Sequence, residues 1–115
     1  MAVVFVIARD WTLRTSVRAE LLEAGIHALG MESPEDAGRA LANGQFPAVV
    51  VVEATAGIAD HPAIAAMASR VPTVLVASRA EKIDLPPAAA LIYRPVRIGE
   101  IVHQVRELIR KGHAA

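Results

Sequence analysis

The chain has 115 residues, 54% hydrophobic but only 3% aromatic, so a single domain over residues 1–115 with an aliphatic core is expected. Twelve basic residues balance twelve acidic ones, which leaves no global field to attract nucleic acid or acidic lipid. The absence of cysteine excludes disulfides, thiolate metal sites and cysteine nucleophiles, and suits a reducing, cytoplasmic setting.

Val3 to Ala8 is a β-branched apolar run, read as a strand buried on both faces. It is too short to span a membrane and lacks the flanks of a signal peptide. Leu13, Val17, Leu21 and Ala24 then recur at helical spacing, with Asp10 or Thr12 as the cap and Gly25 at the end. "IHALGM" is a second, weaker strand. "SPEDAGRALANG" reads as a helix capped by Ser33, with Pro34 in its first turn, closing on Gly44. Ala48 to Val52 is the third strand, and it delivers Glu53 at its tip. "DHPAIAAMASR" is a third helix with Asp60 as cap, and "PTVLVAS" a fourth strand. "RAEKIDLPPAAA" is irregular, since Pro86 and Pro87 end any helix there early. "ALIY" is a fifth strand. Ile98, Ile101, Val102, Val105, Leu108 and Ile109 form the apolar stripe of a last helix. An ordered core of about 3–111 is expected, with "RKGHAA" fraying. No output domain lies within the 115 residues, which suits a stand-alone module, a fragment or an excised domain alike.

The alternation of five strands and five helices implies an α/β fold: a three-layer, doubly wound five-stranded parallel sheet in the flavodoxin-like order 2-1-3-4-5. Sites in such sheets form at the C-terminal tips of the central strands. The residues delivered there are Arg9 and Asp10, Glu53, Ala77 and Ser78, and Arg94-Pro95.

With these residues in place, the sequence resembles the receiver domain of bacterial response regulators, from Val3 to about Lys111. In that family an acidic pair after the first strand helps to bind magnesium, and an aspartate ending the third strand accepts phosphate. A Thr or Ser ends the fourth strand, and a Lys-Pro dipeptide, usually cis, ends the fifth. By that resemblance Arg9 and Asp10 occupy the acidic pair and Glu53 the phosphoacceptor. Ala77 occupies the hydroxyl position, with Ser78 one later, and Arg94-Pro95 replaces Lys-Pro. Leu91 stands where an aromatic is common, and "ATAGIADHP" lacks the usual Met-Pro and Gly pattern.

The departures carry physical consequences. Arg9 removes a metal ligand and installs a cation that cannot deprotonate. It is expected to pair with Asp10 and Glu53, so that Arg9 and Arg94 neutralise the two acids and magnesium binding is lost or weak. No other cofactor is implied. Glu53 is longer than aspartate by roughly 1.5 Å, a poor geometry for phosphoryl transfer. It is expected to reach towards Arg94 and place charge where a phospho-aspartate would. The resulting expectation is a non-enzymatic, receiver-like signalling domain, degenerate at the phosphorylation site. It would act through a signalling protein or a homodimer, with no direct contact to nucleic acid or membrane. The resemblance puts the partner face on the fourth helix, fifth strand and fifth helix, near Leu85, Pro86, Pro87 and Tyr93. One alternative is a working phosphoacceptor in a phosphorelay using Glu53 or Asp10. Another is a flavin or nucleotide binder, for which "ARDWTLRTS" is a weak phosphate loop and the aromatics are few. Trp11 is expected to plug the start of the first helix. Arg14 and Arg18 are read as a solvated face. His27, His61, His103 and His113 share no ligand spacing and are read as solvated or edge residues.

Overall fold

The computed structural model describes residues 2–114, with side chains to residue 112; the His113 side chain and Ala115 lie outside them. β1 (Val3–Ile7) leads into α1 (Trp11–Glu23), and β2 (His27–Met31) into α2 (Pro34–Ala42). β3 (Val49–Ala54) precedes α3 (Pro62–Ala68). β4 (Thr73–Ala77) and β5 (Ala90–Tyr93) follow, and α4 (Ile98–Ala114) comes last. The strands form one parallel sheet in the expected order, β2-β1-β3-β4-β5.

Strand alternation splits the core between the two faces of the sheet. Val4, Val6, Val49, Val51, Val74 and Val76 meet Leu13, Val17 and Leu21 of α1 and Ile101 and Val105 of α4. Phe5, Ile7, Val50, Val52 and Leu75 meet Ala37 and Ala40 of α2 and Ile64 and Met67 of α3. Every residue of β3 is buried, which is why four successive valines suit it.

One expected helix is absent. Residues 78–89 connect β4 to β5 without helix, so the described residues hold four helices instead of five. Pro86 and Pro87 remove two successive amide donors and push the residues before them out of the helical region. The segment where a fourth helix was expected is irregular chain carrying Pro86 and Pro87.

The helix starts show which polar side chains were read correctly. Asp10 caps α1, its Oδ1 accepting from Leu13 N at 3.2 Å, and Gly25 follows the helix at φ 79°. Ser33 caps α2, accepting from Asp36 N at 3.3 Å. Ser33→Ala is expected to lower stability by about 1 kcal/mol in urea unfolding, with Ser33→Asp near wild type. At α3 the cap is His61, not Asp60. His61 Nδ1 accepts from Ala63 N at 3.0 Å, while Asp60 turns back to accept from Gly57 N at 2.7 Å. With Nδ1 accepting, the ring proton sits on Nε2 and faces Glu35 at 3.1 Å. His61 thus ties α3 to α2 instead of lying free in solvent.

Trp11 is no plug: it is 69% exposed. The last helix, α4, spans Ile98–Ala114. On its outer face Arg110 donates to Glu107, which holds the Glu107 carboxyl below and the Arg110 guanidinium above their ordinary ranges. The stabilisation from the lowered carboxyl is present above its ordinary range and is lost as pH falls through its lowered pKa. Among the described residues no helix is long and apolar enough to cross a membrane.

Candidate functional site

β3 runs two residues further than the sequence suggested, so Glu53 is a strand residue, not a tip residue. In phase with Val49 and Val51, it leaves the sheet on the side of α1 and α4. Only 5% of it is exposed. A buried carboxylate needs hydrogen-bond donors. Oε1 accepts from Arg9 N at 2.9 Å and from Asp10 N at 3.4 Å. Oε2 accepts from Arg94 Nη2 at 3.0 Å. Arg94, in phase with Ile92 on the same face, also stands 3.6 Å from Asp10 Oδ2. Glu53 does reach Arg94, as expected, and is not an ordinary solvated carboxylate at a strand end.

The expected role of Arg9 is overturned. Among the described residues its guanidinium makes no ion pair with Asp10 or Glu53. It runs outward over the loop after β3, with Nη1 3.4 Å from the Ala56 carbonyl. A Cβ on Gly57 would meet its Nη2 at 2.9 Å, and Gly57 itself holds φ 84°. What Arg9 contributes to Glu53 is its backbone N–H. β1 ends at Ile7, so Arg9 lies in a turn, where strand alternation no longer dictates the side-chain direction. One cation, Arg94, therefore faces the two acids, where two had been expected.

Among the described residues neither Ala77 nor Ser78 makes a side-chain hydrogen bond to Glu53. Ala77 pairs with Tyr93 across β4 and β5 and packs on the α2–α3 face, opposite to Glu53. Ser78 lies beyond the end of β4, where strand alternation no longer sets the side-chain direction, and it lines a cleft with Ala54, Ala77 and Tyr93. Ser78 Oγ accepts from Ala80 N at 3.3 Å, within its own turn. Arg94-Pro95 is a cis peptide, as the resemblance implied, and Arg94 N donates to the Ala77 carbonyl at 2.8 Å. A cleft of about 280 Å³ lies between Ala54, Ala77, Ser78, Leu85 and Tyr93. Arg79 stacks over the Tyr93 ring at 4.1 Å on its rim. Leu85 and Pro87 are exposed nearby, and Pro86 is half-buried.

These residues fit magnesium poorly. The ion wants near-octahedral oxygen ligation from carboxylates and water. Here Asp10 Oδ1 caps α1, and Arg94 bridges Asp10 Oδ2 and Glu53 Oε2. The remaining oxygen, Glu53 Oε1, is turned into the backbone amides. Among the described residues no group of three or more His, Cys, Asp or Glu is placed to hold a metal ion.

Sequence reasoning missed Arg14. It is only 7% exposed and donates to the Ala8 carbonyl at 2.6 Å, so it is no part of a solvated face. Arg18 is exposed, yet its Nε donates to the Ala28 carbonyl at 3.1 Å. The available signal was Gly30, a glycine inside a strand, which often marks a close approach.

No family model matches the chain, and no curated protein matches it. Solved structures do resemble it. The signal receiver domain of a putative LuxO repressor protein from Vibrio parahaemolyticus superposes with a TM-score of 0.78 at 10% identity, covering 98% of this chain and 93% of that one. The Francisella response regulator 1452 receiver domain gives 0.78 at 14% identity, covering 97% and 99%. A response regulator from Thermotoga maritima gives 0.75 at 15% identity, covering 96% and 98%. Likeness at such identities establishes the fold, which is that of response-regulator receiver domains.

Proposed function

We propose that this chain is a receiver-like signalling domain whose acidic pocket is closed by its own side chains and whose output does not depend on aspartyl phosphate. The observation that carries this reading is the Glu53 carboxylate, held by the Arg9 and Asp10 amides and by Arg94. Arg94 already supplies the positive charge that a metal ion or phosphate switch would rearrange. On this reading the domain is not an enzyme, needs no cofactor and works in the cytoplasm. It acts by binding a signalling protein or a second copy through the 78–89 segment, β5 and α4. Leu85 and Leu91 are exposed there.

The test is incubation with acetyl phosphate and magnesium, followed by intact-mass analysis. No acid-stable or acid-labile phosphoryl adduct is expected. An adduct on the unaltered chain, abolished by Glu53→Gln, overturns the reading.

The rival, a working phosphoacceptor, draws support from one observation. Ser78, one residue past Ala77, carries a hydroxyl whose one hydrogen bond among the described residues comes from Ala80 N. Under that reading the same incubation labels position 53 or Asp10.

A further inference from the structure

Among the described residues Arg14 makes no hydrogen bond to Glu53 but lies against the turn that does. Its Nη1 donates to the Ala8 carbonyl at 2.6 Å and, at a longer 3.4 Å, to the Arg9 carbonyl. The Ala8 carbonyl shares a planar peptide group with the Arg9 N–H, and the Arg9 carbonyl shares one with the Asp10 N–H. Those two amides are the ones that donate to Glu53 Oε1, at 2.9 and 3.4 Å. One guanidinium nitrogen therefore stands behind both donors. Hydrogen bonds in such a chain polarise one another, most where water is excluded. A cation on the carbonyl side makes each amide a better donor to the carboxylate.

Two further features fit a position built for this purpose. Gly30 in β2 leaves room for the Arg14 stem: a Cβ there would lie 3.1 Å from Arg14 Cγ and 3.3 Å from Cδ. The backbone of Gly30 is not left-handed, so the space explains the glycine and conformational freedom does not. At the outer end, Nη2 lies 3.5 Å from the exposed Glu32 carboxylate, and the Trp11 ring centre is 5.2 Å from Cζ. That distance places the guanidinium within cation–π range of the exposed Trp11 ring.

We propose that Arg14 is the positioning residue of the pocket: it fixes the β1–α1 turn with both amides aimed at Glu53, and supplies through two peptide groups the charge that Arg9 does not supply directly. This holds whether or not position 53 accepts phosphate.

Amide NMR tests it. Arg14→Met is expected to move the Arg9 and Asp10 amide protons upfield and to speed their solvent exchange on the order of tenfold, with the Val4 to Ile7 amides unchanged. Arg14→Lys keeps the charge without the fork and should restore the Arg9 amide more than the Asp10 amide. Gly30→Ala, which displaces the stem slightly, should move the same two amides in the same direction but less; it serves as the test should Arg14→Met fail to fold. Unmoved Arg9 and Asp10 signals in the folded variants, or equal acceleration along all of β1, overturn the proposal and leave Arg14 as a space-filling residue.

Discussion

Arg94→Met is expected to lower unfolding stability by about 2 kcal/mol and to open the pocket to divalent cations. Removing one partner of a fully buried ion pair costs about 3–5 kcal/mol, because the other charge stays buried without compensation. Two features reduce that figure here. The Arg94 side chain is 36% exposed, and Glu53 keeps its two amide donors. What remains is a buried carboxylate beside Asp10 with no cation between them. A small hydrated cation then gains what Arg94 supplied. At tenfold its Kd such an ion stabilises the fold by about 1.4 kcal/mol, a rise of roughly 3 °C or more in the melting temperature. Melts with and without manganese should therefore separate for Arg94→Met and coincide for the unaltered chain. Arg94→Lys, which keeps the charge, should fall between them. A manganese-dependent rise in the unaltered chain would mean that Arg94 does not close the pocket.

The parts of this pocket were legible to different degrees, for physical reasons. Burial and period showed β3 and the other strands, because a strand covered on both faces favours apolar runs such as Val49 to Val52. The strand order followed from length and alternation, and with it the neighbourhood of Asp10, Glu53 and Arg94. The direction of Arg9 was not legible. Once β1 ends, the side chain is aimed by turn geometry and by the room above Gly57. The donors that matter most to Glu53 Oε1 are backbone amides, which every residue but proline carries and no composition reveals. Counting from Pro72 placed Ala77 at the hydroxyl position, and the sheet turns its side chain towards α2 and α3. The helix between the fourth and fifth strands was assumed from the repeating pattern even though Pro86-Pro87 spoke against it. Local backbone chemistry prevailed over topological regularity there.

Restoring oxygen ligands and shortening the acceptor together is expected to turn the chain into a phosphoacceptor: Arg9→Asp with Glu53→Asp should take a phosphoryl group from acetyl phosphate with magnesium present, at least on the order of a hundredfold faster than the unaltered chain. Arg9 gives up little when replaced, since its guanidinium makes only a long contact to the Ala56 carbonyl. A carboxylate at position 9 stands next to Asp10 and supplies the second acid that magnesium favours. Losing one methylene at position 53 draws the carboxylate back by roughly 1.5 Å. That is enough to break the 2.9 Å contact with the Arg9 amide and free an oxygen for a metal ion. Arg94 stays to meet the transferred phosphoryl group, as a cation able to form paired hydrogen bonds. Glu53→Asp alone should gain little, because Arg94 then faces a pocket still short of an acid. Arg9→Asp alone should carry no adduct, because Glu53 remains against the backbone amides and paired with Arg94. Arg9→Asp with Glu53→Asn is the control and should carry no adduct. Equal labelling of the double variant and the unaltered chain would show that neither the length of Glu53 nor the missing acid sets the barrier, and the pocket would then be closed by something other than its charges.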